Sequence, residues 1–195
     1  MIRTYFNQMA VIWDETVAEK DEKRLRLMAD RLDIVSGARV LDVGTGTGVF
    51  IPFLLSKIGD NGQIVALDVA EEMLSKAMAK EFNGNICYLN ADVNFIPLSD
   101  ETFDSVVCYS SFPHFQDKLK ALIEIIRVTR SGGSLLICHT SSRASINGIH
   151  CSIPDVTNDI IPERDEMRGI LSEAGFVSIS IEDLSESYLC RARKP

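Results

Sequence analysis

Three acidic residues, Asp42, Asp68 and Asp92, stand at or near the ends of short stretches that read as strands. The first is followed by Val43-Gly44-Thr45-Gly46-Thr47-Gly48 and then by an apolar run from Val49 to Ile58. A strand that turns on glycines into a helix aims backbone N–H groups at a ligand, with no Cβ in the way. A dinucleotide turn needs G-x-G-x-x-G, to bring a pyrophosphate to the helix N-terminus. Gly44 and Gly46 fit that spacing, but its third position is Val49. Asp42 also sits two residues before the first glycine. A carboxylate there repels a phosphate and attracts an ammonium. The turn therefore suits a ligand that is cationic at this end and carries no phosphate.

Asp68 should reach a ribose and accept two hydroxyl hydrogen bonds. As an exposed strand-end acid it should hold little of the core, so Asp68→Ala is expected to spare folding. His114 lies in the loop Ser110 to Gln116. His139, Arg143, Asn147, His150 and Cys151 cluster around the next irregular stretch. Ligands of open α/β sheets lie beyond the carboxyl ends of the strands, so this cluster is read as facing an acceptor. His114, His139 and His150 are candidate bases, needed only if the acceptor arrives protonated. Arg143 is read as pairing with a carboxylate or phosphate of the acceptor, with an intramolecular acid as the alternative, and Asn147 as an acceptor contact. A metal site is the alternative for His139, His150 and Cys151, but two histidines and one cysteine at this distance match no standard zinc spacing, so no metal is expected. Tyr5, Phe6 and Trp13 either form a lid, with Tyr5 and Trp13 on the acceptor, or pack the N-terminal segment onto the rest.

Strands are expected at Arg39–Val43, Gln63–Leu67, Ile86–Leu89, Phe103–Tyr109, Ser134–Cys138, Phe176–Ile181 and Tyr188–Arg193. Helices follow the glycine turn, Asp68, Asp117 and Pro162, the last two starting at a cap and at a first-turn proline. Met73, Leu74, Ala77 and Met78 share an apolar face with Ala70, and Asn83-Gly84 should end that helix. Strands alternating with helices give a parallel sheet covered on both faces, and the short link between the last two makes them an antiparallel hairpin. Residues 1–195 read as one domain, with a helical cap at 1–35 and an irregular acceptor-side segment at 140–162.

Val40-Leu41-Asp42-Val43-Gly44-Thr45-Gly46-Thr47-Gly48 closely resembles the first motif of the class I S-adenosylmethionine (SAM)-dependent methyltransferases. SAM offers an ammonium, a carboxylate and a sulfonium, and no phosphate. The element order resembles the core of that family along nearly the whole chain: α/β, doubly wound, a mostly parallel seven-stranded Rossmann-like sheet with a C-terminal antiparallel hairpin strand. The resemblance implies cofactor contacts at Asp42, Gly44, Thr45, Gly46 and Gly48, at Asp68 and Val69, at Asp92 and Val93 (the adenine), and at Tyr109 and Ser110 beside the sulfonium. Ala70 departs from the Ser or Thr such sequences often place there. Arg127 to Gly133 resembles the turn before the fifth strand and is read as structural. The implied function is methyl transfer to a small molecule, with a pattern somewhat like quinone-biosynthesis C-methyltransferases. A non-catalytic SAM-binding regulator and a nucleotide-dependent oxidoreductase are the alternatives.

The formal charge of −8 and a pI near 4.9 argue against a nucleic-acid surface. Of the basic clusters at Lys20–Arg26 and Arg191–Lys194, the first lies on a helix also rich in acids and reads as a solvated face. Five cysteines with no C-x-x-C pair suit free thiols in a reducing cytosol. No leader and no bilayer-length apolar run is visible, so a cytoplasmic protein is expected. Oligomeric state is not legible.

Overall fold

The computed structural model describes residues 2–17, 19 and 21–195; Lys20 of the first basic cluster lies outside them. Its strands are β1 (Arg39–Val43), β2 (Gln63–Asp68), β3 (Ile86–Asn90), β4 (Phe103–Tyr109), β5 (Thr129–His139), β6 (Val177–Leu184) and β7 (Ser187–Arg193). They form one sheet in the order β3-β2-β1-β4-β5-β7-β6. Pairing is parallel from β3 through β5, and β7 runs antiparallel to both β5 and β6. This is the doubly wound sheet with a reversed last strand that the sequence implied.

Side chains alternate across the strands, so each strand feeds two cores. Val40, Ile64, Ala66, Val107 and Leu136 face one side, against α3 (Glu22–Asp30) and α4 (Ile51–Ile58). Leu41, Val65, Val106, Leu135 and Ile137 face the other, against α6 (Lys118–Val128) and α8 (Arg164–Glu173). Near-continuous burial of β1, β2 and β4 follows from covering both faces. Helix α5 (Glu71–Met78) carries Met73, Leu74 and Ala77 inward, whereas Met78 is exposed. Its end is set by Glu81 in the left-handed region (φ 49°), ahead of the expected Asn83-Gly84.

Several boundaries differ from expectation for local reasons. β5 begins at Thr129 because the Arg130–Gly133 turn is absorbed as an irregularity: the register with β4 jumps from Phe103↔Thr129 to Ser105↔Ser134. Pro162 precedes α8 rather than entering its first turn, and Glu163 takes the N-cap position. The segment 140–162 is not irregular. Ser142 caps α7 (Arg143–Cys151) by accepting from Ser145 N at 3.2 Å, and a 3-10 turn follows at Pro154–Val156. Only Ile146 of α7 is buried, so no apolar stripe marked it. At the N-terminus, α1 (Ile2–Met9) and α2 (Trp13–Thr16) precede α3. The basic residues of the C-terminal cluster are engaged locally: Arg191 with Glu182, Arg193 with the Gly132 carbonyl, and Lys194 with the Thr129 carbonyl.

Candidate cofactor and acceptor site

A cleft opens at the carboxyl ends of β1, β2 and β4, where the strand order reverses between β1 and β4. Its cavity volume is about 150 Å³. Val43, Gly44, Gly46, Leu67, Asp68 and Val69 form the floor. Ala91 to Asn94 wall one side, and Ser110, Ser111 and His114 to Gln116 wall the other. Ile2, Phe6 and Trp13 roof it.

The glycine turn is set by close packing and by left-handed backbone. A Cβ on Gly44 (φ 72°) would come within 2.4 Å of the Ser111 Cβ, and Ser111 Oγ donates to the Val43 carbonyl at 2.6 Å. Around Gly46 (φ 56°) a Cβ would meet nothing within 4 Å. That open space belongs to the cleft. The N–H groups of Gly44 and Thr45 both donate to the Leu67 carbonyl, at 2.7 and 3.0 Å, and Gly46 N–H donates to Asp68 Oδ2 at 2.8 Å. The turn was expected to aim these donors at a ligand. Instead they are spent within the protein, which leaves a poor cradle for a phosphate.

Asp68 is buried, not exposed. It accepts from Gly46 N and from Ala70 N, each at 2.8 Å, so it ties the glycine turn to the start of α5. Burial pushes its pKa up to about 6, against those backbone hydrogen bonds. Asp42 is buried too and accepts from Thr45 Oγ1 at 2.6 Å. Burial pushes its pKa up to about 7, the Thr45 hydroxyl pulls it down, and the Asp68 charge raises it again. Asp42 shares the α3/α4 side with Val40, so it supports the turn from beneath with Thr45 and does not line the cleft. Asp92 and Val93 do line it. Asp92 Oδ1 accepts from the main chain and side chain of Asn94, both at 2.8 Å.

Tyr109 alternates to the same side as Val107. Its ring stacks on Phe50 at 4.3 Å and its hydroxyl meets Thr140 Oγ1 at 3.1 Å, so it is removed from the cleft. Ser110, in the left-handed region at φ 53°, stays on the cleft wall. Gly48 lies behind the turn, against Phe82.

The acceptor-side expectations divide similarly. Trp13 and Phe6 meet edge to face at 5.6 Å in the roof. Tyr5 lies outside the cleft lining, its ring edge-on to Phe6 at 5.2 Å. Its pKa is raised by burial and then by the charges of Asp155 and Asp159. Arg143 is taken by Glu163 at 2.9 Å and Asp183 at 3.6 Å, the intramolecular alternative. Asn147 exchanges both amide hydrogen bonds with the Ile161 backbone, at 3.0 and 2.9 Å, and pins the end of its segment. His139 is buried with Nε2 unpartnered, and burial drives its pKa down to about 3, which keeps it neutral. His114 alone of the three histidines lines the cleft; His150 packs behind it at 4.8 Å. Cys151 is exposed, and among the described residues no group of three or more His, Cys, Asp or Glu could hold a metal ion.

Sequence reasoning missed Asp159, whose Oδ2 meets His114 Nδ1 at 2.8 Å, and Gln116 beside it. No spacing signal links positions so far apart in the chain. It also missed Asp14, which joins α2 to the Thr47 hydroxyl and to Lys80.

Comparison with known proteins agrees with this geometry. A family model described as a methyltransferase domain matches residues 41–137. The ubiquinone/menaquinone biosynthesis C-methyltransferase UbiE of Haemophilus ducreyi is 30% identical over 86% of this chain and 75% of its own length. UbiE of Teredinibacter turnerae is 38% identical over 54% of this chain, but only 44% of its own length is covered. A SAM-dependent methyltransferase from Aquifex aeolicus superposes with a TM-score of 0.73 at 25% identity, over 97% of both chains. The chain belongs to the class I SAM-dependent methyltransferases. It is an enzyme and SAM is its cofactor, which removes both the oxidoreductase and the non-catalytic binder as readings. Among the described residues no helix is long and apolar enough to cross a membrane.

Proposed function

We propose that the enzyme methylates a small, flat, hydroxylated molecule bound under the α1–α2 roof. The carrying observation is the asymmetry of the cleft. Phe6 and Trp13 give its roof broad aromatic surface, while Ser110, His114 and Gln116 place polar groups on the wall beneath that roof. A flat ring with a polar edge matches both halves. The chain's similarity to enzymes named as quinone-biosynthesis C-methyltransferases supports the same class.

In this reading Asp68 and Val69 take the ribose, and Asp92 and Val93 the adenine. The amino-acid end lies along Gly44 and Gly46, over the buried Asp42. These residues fit the cofactor because the floor offers the Asp68 carboxylate and open space at Gly46, and its turn N–H groups are already bonded. Bound SAM supplies a methyl group already activated on a sulfonium. The protein's part is to align the acceptor and exclude water. The cytoplasm is the compartment proposed, because the buried thiols Cys108, Cys138 and Cys190 are all free.

The test is a methyl-transfer assay with methyl-labelled SAM. Acceptors are 1,4-dihydroxynaphthalene and related phenols, with a peptide mixture and a tRNA pool as controls. Label on the hydroxylated rings alone is expected. Label confined to peptide or RNA would overturn the small-molecule reading.

A further inference from the structure

We infer that Asp159 is a positioning residue that fixes two imidazoles at once and presents His114 Nε2 to the cleft as the proton acceptor for a hydroxyl-bearing substrate. This rests on the small-molecule reading above, but the experiment below separates the two.

The geometry is specific. Asp159 is buried, with 7% of its surface exposed, and its Oδ2 lies 2.8 Å from His114 Nδ1. A carboxylate only accepts, so Nδ1 carries the proton. The same residue's main-chain carbonyl accepts from His150 Nδ1, which fixes that ring in the same tautomer. The two rings lie 4.8 Å apart at 43°. Phe6 closes on His114 edge to face at 4.9 Å. The His114 ring is thereby held by Asp159, His150 and Phe6. Its one uncommitted nitrogen is Nε2, on a side chain that lines the cleft. Gln116 Nε2 reaches Asp159 Oδ1 at 3.4 Å and steadies the carboxylate from its other oxygen.

The charges around the ring suit a base. His114 is faced by Asp159 from the loop after α7, by His150 from α7, by Lys118 from α6 and by His139 from β5. The charges of Asp155 and Asp159 also act on Tyr5, which packs on Phe6. Burial lowers the His114 pKa below the ordinary histidine value; the Asp159 hydrogen bond opposes that, and His150 and Lys118 add to it. The ring is therefore neutral near pH 7, with a lone pair at Nε2. His150 does not compete as the base, because it packs behind the ring and is absent from the cleft lining.

The step balances. The acceptor's O–H bond breaks and the proton goes to Nε2. The electron pair left on the acceptor forms the bond to the methyl carbon, and the pair of the sulfur–methyl bond stays on sulfur. The imidazolium is stabilised by Asp159 and returns its proton to water. Where the new bond is to a ring carbon, that carbon's proton leaves to water last.

The experiment joins an acceptor-independent readout to turnover. In ¹⁵N NMR of the full chain with S-adenosylhomocysteine, His114 should show a protonated Nδ1 and a bare Nε2. In Asp159→Asn the side-chain amide can donate to Nδ1, so the tautomer should flip or mix. The same variant should bind SAM within about twofold of wild type by calorimetry. Its transfer to 1,4-dihydroxynaphthalene should fall at least about tenfold, less than the roughly 10²–10⁴-fold typical for losing the acid–base group itself. Its rising pH limb should move to lower pH, because the carboxylate that favours the imidazolium is gone. A merely structural Asp159 would not move that limb. His114→Gln should lose at least as much turnover and serves if Asp159→Asn does not fold. A wild-type His114 protonated at Nε2, or full turnover with an unmoved limb in Asp159→Asn, overturns the inference. Wild-type enzyme that labels no hydroxylated ring, yet shows the bare Nε2, overturns the acceptor class and leaves the tautomer assignment standing.

Discussion

At the scale of single residues, two buried acids that water no longer solvates underlie the cleft: Asp68 in its floor and Asp42 beneath the glycine turn. Burial disfavours an isolated ionised carboxylate, and the Asp68 charge raises the cost for Asp42. Asp42 reaches about 7 and Asp68 about 6. A group whose folded pKa lies above its unfolded value stabilises the fold at low pH. That stability is lost as pH rises through the folded value. For Asp42 the window runs from about pH 4, the ordinary aspartate range, to about pH 7. Asp42→Asn keeps an acceptor for Thr45 Oγ1 and removes the titration. It should therefore exceed wild type in stability at pH 8, by on the order of 2–4 kcal/mol, and lose that advantage by pH 4. Urea denaturation of cofactor-free protein at the two pH values checks this; equal pH dependence in both proteins would exclude a buried ionised Asp42. The acids themselves were legible from their positions at strand ends. Their burial was not, because it depends on how the elements pack: α5 and the roof close over Asp68, and the α3/α4 side covers Asp42. Strand parity did carry one usable signal: Asp42 is two residues from Val40 and Tyr109 two from Val107, so both belong on the α3/α4 side. The ion pairs of Arg143 and the Asp159–His114 contact join segments far apart in sequence, and no local pattern encodes them.

Among elements, the roof is the part most readily displaced. Helices α1 and α2 sit on α5 through Arg3–Glu71 at 2.8 Å, through Asn7 Oδ1 accepting from Glu72 N at 3.1 Å, and through the apolar group of Phe6, Met9, Ala10, Trp13, Ala70 and Met73. Asp14 adds a second anchorage by taking the Thr47 hydroxyl of the glycine turn and pairing with Lys80 at 2.8 Å. That carboxylate is 43% exposed, so its ion pair contributes less than about 1 kcal/mol to global stability. Its effect should instead be local. Asp14→Ala is expected to shift Tm by less than about 4 °C while residues 2–17 exchange amide hydrogens faster and S-adenosylhomocysteine dissociates several-fold sooner. Hydrogen-exchange mass spectrometry and stopped-flow displacement measure the two; unchanged exchange across α1 and α2 would mean that the apolar contacts alone hold the roof. The aromatics of this segment left the choice between lid and packing open, and Phe6 does both: it packs with Trp13 and forms part of the cleft roof. Helix α7 was hidden for the opposite reason. Its single buried Ile146 gave no periodicity, and its remaining neighbours are satisfied by polar contacts such as Asn147 with Ile161.

For the whole molecule, the parallel sheet follows from alternation and the antiparallel hairpin from the short link to β7, which is why the architecture was readable almost end to end. The strand order brings the ends of β1 and β4 together and fixes where a ligand must lie. A ligand there touches the glycine turn, β2, β3 and the loop after β4 at once, and closes against α1 and α2. Binding should therefore stabilise the molecule as one unit. At one hundred times its dissociation constant a ligand adds about 2.7 kcal/mol. For a chain of this size that corresponds to a Tm rise of about 5–11 °C. S-adenosylhomocysteine and SAM should both produce it. NAD should not, because its pyrophosphate would meet Gly44, Thr45 and Gly46 with their N–H groups already bonded, above Asp42 and Asp68. Differential scanning calorimetry with each ligand at matched excess makes the comparison. An NAD shift as large as that of S-adenosylhomocysteine would show that the turn can release its donors to a phosphate, and that the internal hydrogen bonds to Leu67 and Asp68 do not set the choice of cofactor.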